Sequence, residues 1–149
     1  MIHKQDILIH LIAMNNNKIA SISKAIDAIR ESKNTDTKSS AGDKYETGRE
    51  MMQLELNKYE SQLAIQQKQR TELEKIKPTL LHQKVGYGSL IITNYGTYLI
   101  AVGLGAVQIH NETIFVISLA SPIGKVLKDK EKGEKFLFQG KEFNIQDII

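Results

Sequence analysis

The sequence predicts an α+β protein in which an N-terminal antiparallel coiled-coil helical hairpin is followed by a small antiparallel β domain with one short helix. Three observations predict it: two long segments with apolar residues alternately four and three apart, a polar break between them, and a change to a strand-like period after Pro78.

The first seam runs Leu8, Ile12, Asn15, Ile19, Ile22, Ile26, Ile29, the spacing of a coiled coil. Asn15 is its one polar member. A single polar seam residue can fix register at a cost in stability, or it can mark a solvated gap near the base. The pattern ends near Ser32, where KNTDTKSSAGD supplies turn-forming and capping residues. A helix of roughly 27 residues is about 40 Å long. The second seam runs Met52, Leu56, Tyr59, Leu63, Gln66, Arg70, Leu73, with Ile76 and Leu80 completing its base. Gly48 weakens this helix by about 1 kcal/mol relative to Ala, and Pro78 ends it. Two similar heptad segments joined by about ten polar residues fold most simply into an antiparallel hairpin, with an intermolecular coiled coil as the alternative pairing.

The change of period near residues 78–84 divides the chain into a hairpin, 1–79, with an acidic tip near 36–46, and a second domain, 80–149. Strands are expected at Ser89–Thr93, Thr97–Val102, Thr113–Ser118, Lys135–Phe138 and Glu142–Ile148, all rich in Ile, Val, Phe and Tyr. Asn94-Tyr95-Gly96, His110-Asn111, Gly133 and Gly140 read as hairpin turns. VGLGAV at 102–107 lacks the helix that follows a nucleotide-binding glycine loop, so it reads as a bend between strands. In SPIGKVLKDKEKG, Ser121 is suited to cap a short helix with Pro122 in its first position.

Composition narrows the function classes. The 149 residues include no cysteine, which excludes disulfides, Cys-ligated zinc and a Cys nucleophile, and fits a reducing cytoplasm. The N-terminal apolar run, broken by Lys4, Asp6 and His10, is too short for a signal peptide or a spanning helix, so no membrane association is expected. Net charge is +3 and nearly balanced in both halves, which does not indicate a strong stand-alone nucleic-acid binder. His3, His10, His82 and His110 show no metal-ligand spacing.

The paired carboxylates Asp43 and Glu46 fall at the exposed break, at the start of the second helix. Three residues apart on a helix they point the same way, and such a pair can hold a divalent cation that keeps several waters. The same spacing is that of a capping box, with Asp43 as N-cap and Glu46 at the third helical position. Ser40 and Asp43 share this spacing, and a Ser40 cap would leave both carboxylates free. The basic residues Lys33, Lys38, Lys44 and Arg49 around the tip either meet phosphates or are simply solvated.

The stretch AGDKYETGRE at 41–50 resembles the Gly-Asp-x-x-Glu hairpin tip of the GreA/GreB transcript cleavage factors. The segment ETIFVISLASPIGKVLKDKEKGEKFLF at 112–138 is similar to the same family's C-terminal domain, with a strand, Ser-Pro-hydrophobic, a short helix and a Gly before the next strand. The resemblance implies that the second domain is FKBP-like without isomerase activity and docks a monomeric protein on bacterial RNA polymerase, with Ser121, Pro122 and Ile123 at the contact. The hairpin would then enter the polymerase secondary channel, bringing Lys38, Lys44 and Arg49 near nucleic acid. It also implies that Asp43 and Glu46 help place a Mg²⁺ shared with the polymerase and an attacking water, so that the polymerase hydrolyses backtracked RNA near its 3′ end. The chain would stimulate that reaction without being an enzyme itself. Thr47 stands where the family usually has Asn, Glu50 where it has an aromatic residue, and Ala120 where a polar residue is frequent. Two other functions stay open: channel binding without cleavage stimulation, and a hairpin interaction module unrelated to polymerase.

Overall fold

In the computed structural model, which describes residues 2–36 and 42–149, the heptad segments form two long helices, α1 (Lys4–Asp36) and α2 (Gly42–Glu74). Each has 33 residues, so each is about 50 Å long, longer than the spacing alone predicts. They are antiparallel. Asn15 bonds to Gln66, Arg30 to Glu60 and Lys33 to Gln53, so residue numbers rise along α1 as they fall along α2. Ile26 and Leu56 are buried on the seam, while Ile19, Ile22, Ile29, Met52, Tyr59 and Leu63 are half-buried. Two helices offer each other one face only, so a seam of this kind stays partly wet at its edges.

The compact units do not divide where the secondary structure changes. One unit is Ala13–Arg70; the other joins Met1–Ile12 to Thr71–Ile149, so the first turns of α1 and the last of α2 belong with the sheet. In that unit Ile7, Leu8, Leu11, Leu73 and Ile76 are buried. Ile7 and Leu11 lie off the heptad seam, because the helix roots bury a wider face than a two-helix contact needs. Leu80, expected at the base of the seam, is 54% exposed and lies beyond the end of α2. The N–H groups of Lys75 and Ile76 turn back to the carbonyls of Glu72 and Leu73, closing a tight last turn before Pro78.

Six strands follow: β1 (Leu90–Thr93), β2 (Gly96–Ile100), β3 (Gly105–Ile109), β4 (Glu112–Ile117), β5 (Lys135–Phe138) and β6 (Lys141–Ile148), with the short helix α3 (Pro122–Leu127) between β4 and β5. They form one sheet in the order β3-β4-β2-β1-β6-β5. All expected strands are present within two residues at each end, and β3 is additional. It occupies much of the stretch read as a bend. The sheet is mixed and not wholly antiparallel as expected: β4 lies between β3 and β2, antiparallel to β3 through its hairpin and parallel to β2, Leu99 opposite Val116. Two-residue turns with both residues at positive φ close β3–β4 at His110-Asn111 and β5–β6 at Gln139-Gly140, the backbone that matches strand twist. Gly133 closes no hairpin. Its N–H bonds to the Ile145 carbonyl in the approach to β5.

One face of the sheet carries Ile91, Tyr98, Ile100, Phe143 and Ile145, packed with Leu127 of α3 and with Phe136; Ile123 and Val126 of α3 lie against the same cluster. Aromatic rings run across this face, Phe136 stacked on Phe143 at 5.0 Å and Tyr98 on Phe115 at 5.1 Å. The alternate residues Leu90, Leu99, Ile114 and Val116 are also buried, so the sheet is covered on both sides within its unit. Among the described residues no helix is long and apolar enough to cross a membrane.

Candidate functional site

The chain is helical from Gly42, which puts Asp43 and Glu46 in the first two turns of α2. Asp43 therefore stands inside the helix and not at the extended residue before it, the position from which an N-cap side chain works. Acidic groups here are favoured by the positive end of the helix dipole. The Glu46 side chain is exposed, as are Thr47 and Glu50. The side chains of Asp43, Lys44 and Tyr45 lie outside what the structure describes, and Ser40 and Lys38 lie outside the described residues altogether. Among the described residues nothing lies within 4 Å of where a Gly48 Cβ would stand, so none of them requires glycine there.

Of the tip cations, Arg49 is half-buried. Lys33 falls on the α1 seam four residues after Ile29, and its ammonium donates across to the Gln53 Oε1. The amide of Gln53 in turn donates to Asn57 Oδ1 at 2.8 Å. The Lys33–Gln53 bond joins the two helices, and the Gln53–Asn57 bond, within α2, holds the Gln53 side chain in place for it. Sequence reading assigned Lys33 to solvent or phosphate; the seam spacing, continued one step beyond Ile29, is the signal that would have placed it here.

The Ser-Pro segment has a structural explanation. Ser121 caps α3, its Oγ accepting from the Gly124 N–H at 3.1 Å and donating to the Ser118 carbonyl at 2.7 Å. Pro122 holds the first helical position. A Cβ on Gly124 would lie 2.0 Å from the Ser118 oxygen, so this turn admits only glycine. Ile123 is packed on the aromatic face. Of the three residues assigned to a partner contact, only Pro122 is exposed and the other two are half-buried; Ser121 and Ile123 serve the fold first.

Polar chemistry that the sequence did not signal lies at the helix roots. Lys4 is 4% exposed, and its ammonium donates to the carbonyls of Leu80 at 3.3 Å and Ile149 at 3.2 Å. Burial lowers its pKa below the usual 10.5. His82 is pushed below 6.5, first by burial and then by the Lys4 charge. The Tyr87 hydroxyl donates to the Glu72 carbonyl at the end of α2. Burial and the nearby Glu72 charge raise its pKa to about 12. Among the described residues no three His, Cys, Asp or Glu side chains gather as a metal site. No protein-family model matches the chain, and no curated protein matches its sequence.

Proposed function

We propose that this chain is an RNA polymerase secondary-channel factor that promotes hydrolysis of backtracked nascent RNA. The observation that carries the reading is an acidic pair in the first two turns of α2, Asp43 and Glu46, at the turn of a hairpin whose helices each have 33 residues. The segment 112–138, whose sequence resembles the C-terminal domain of the transcript cleavage factors and which forms β4, the Ser121-capped α3 and β5, supports it. Hydrolysis of a phosphodiester with two metals needs the second cation and the attacking water held at one place. Two carboxylates at a helix start can complete such a site when the polymerase provides the remaining ligands, and Mg²⁺ keeps several waters in doing so. The cations beside the pair, Lys44 and Arg49, are of the right sign to meet RNA phosphates. The chain supplies ligands and orientation; the polymerase carries out the reaction.

A binding-only role is favoured by one feature, the exposed Thr47 and Glu50 at positions where the resembled family carries Asn and an aromatic residue. One experiment separates the two. Purified protein is added to stalled, backtracked elongation complexes and the release of 3′ RNA fragments is timed, with Asp43→Asn and Glu46→Gln in parallel and polymerase binding measured separately. Wild-type protein should accelerate cleavage and each variant should abolish the acceleration while retaining affinity. Binding without acceleration selects the second role, and absence of polymerase binding removes both.

A further inference from the structure

We propose that a polar layer near the root end of the arm, made by Asn15, Asn16, Gln66 and Arg70, is a built-in opening point that lets the unit Ala13–Arg70 open while the sheet unit stays folded. Asn15 occupies a seam position and is 5% exposed. Its amide donates to the Gln66 carbonyl at 3.0 Å and to the Gln66 side-chain oxygen at 3.1 Å. One residue on, Arg70 donates to Asn16 Oδ1. The Asn15 Oδ1 is buried with no hydrogen-bond partner.

Three consequences follow from this geometry. A buried acceptor without a donor carries its full desolvation cost, and opening to water returns it. The Gln66 carbonyl and side-chain oxygen both accept from the Asn15 amide, so the layer is held by polar bonds that water can replace on opening, where an apolar layer would lose its burial. Between the layer and the Lys33–Gln53 bond the seam is apolar, with Ile19, Ile22, Ile26 and Ile29 on α1 and Leu56, Tyr59 and Leu63 on α2. The layer is thus the seam's weakest stretch, and it lies within the last turns of the arm unit, next to where the compact units divide between residues 12 and 13 and between 70 and 71. The polar layer and the division between the units fall at the same turns. The device leaves the far end of the hairpin free to be remodelled on a partner without loss of the sheet, whatever that partner is.

Native-state hydrogen exchange on the full chain, read by mass spectrometry over 19–33, 52–66 and the six strands, tests it. Arm amides should exchange at least about tenfold faster than the strands through an opening that leaves the strands protected. The Asn15→Leu, Gln66→Leu double variant, which makes the layer apolar, should slow arm exchange by about tenfold or more and leave the strands unchanged. Asn15→Asp, which removes the amide donor and adds a charge facing the Gln66 oxygens, should speed arm exchange alone. The proposal is overturned if arm and strands exchange together in the wild type, if the double variant leaves arm rates unchanged or raised, or if Asn15→Asp loses strand and arm protection at once.

Discussion

The two compact units treat buried polar groups differently. In the sheet unit, Lys4, Ser89 and Thr93 are buried, and each finds partners: Lys4 two carbonyls, Ser89 the Gly86 N–H, Thr93 the Tyr95 N–H and the Gly96 carbonyl. In the arm unit, Asn15 is buried with one oxygen unmet. Turns, strand ends and a helix root converge on the sheet unit's core and bring many backbone groups within reach. A two-helix seam has only helical backbone on either side, already bonded to itself, so a polar residue placed there has few partners to choose from. Order in the sheet unit is fixed by many mutually dependent contacts; in the arm it comes from one repeated contact that can be weakened at one layer.

The sharpest way to break this contrast is to make the same substitution in both units. Gly124→Ala in α3 forces a methyl against the Ser118 carbonyl, 2.0 Å away, and against Ser121 Oγ at 2.8 Å. The capping turn must move, and a loss of about 3 kcal/mol or more in denaturant unfolding of the sheet unit is expected. Gly48→Ala in α2 meets nothing within 4 Å among the described residues. It should stabilise the arm by about 0.5–1 kcal/mol through helix propensity. Loss of stability in both variants would mean that Gly48 has a packing role that the open space around it does not suggest.

Truncating a core residue in each unit gives the next largest effect. Ile145 is fully buried among the aromatic rings of the sheet face, and Ile145→Ala should cost about 3–4 kcal/mol, since the surrounding rings cannot collapse into the space. Ile26, on the arm seam, is 4% exposed, but it is packed from one partner helix, and Ile26→Ala should cost about 2 kcal/mol. Equal losses measured by urea unfolding would show that the arm is packed as tightly as the sheet.

The same contrast explains how much was legible in the sequence. Local patterns were: the four-three spacing gave both helices, alternation gave five strands, and Ser121-Pro122 gave the cap and first turn of α3. The missing strand, β3, carries a period-two signal in Val107 and Ile109, both buried, but Gly103 before it and Gly105 at its start read as a bend. The parallel pairing of β2 with β4 could not be read, because periodicity tells which face a residue takes and not which strand lies beside it. For the site, sequence found the acidic pair and the seam Asn15. It did not find that Gln66 answers Asn15, that Lys33 is tied to Gln53, or that Lys4 is buried, since these depend on which residues the fold brings opposite each other.

The smallest expected effect is electrostatic and separates the units by pH. His82 belongs to the sheet unit, and no histidine lies within Ala13–Arg70, so a histidine-linked change of stability with pH reports on the sheet unit. His82 is held below 6.5 by burial first and by the Lys4 charge second. An unfolded His82 therefore takes its proton at higher pH than the folded one. Its contribution to stability is fully present above 6.5 and is lost as pH falls through the lowered folded value. Lys4→Met removes the second cause and keeps the first, so His82 should titrate at higher pH than in the wild type while remaining below its ordinary value. The acid loss of stability in the sheet unit should become shallower. NMR titration of the His82 ring checks the shift directly, and thermal melts against pH check its consequence. If His82 titrates in Lys4→Met where it does in the wild type, the Lys4 ammonium does not act on it, and burial alone accounts for the shift.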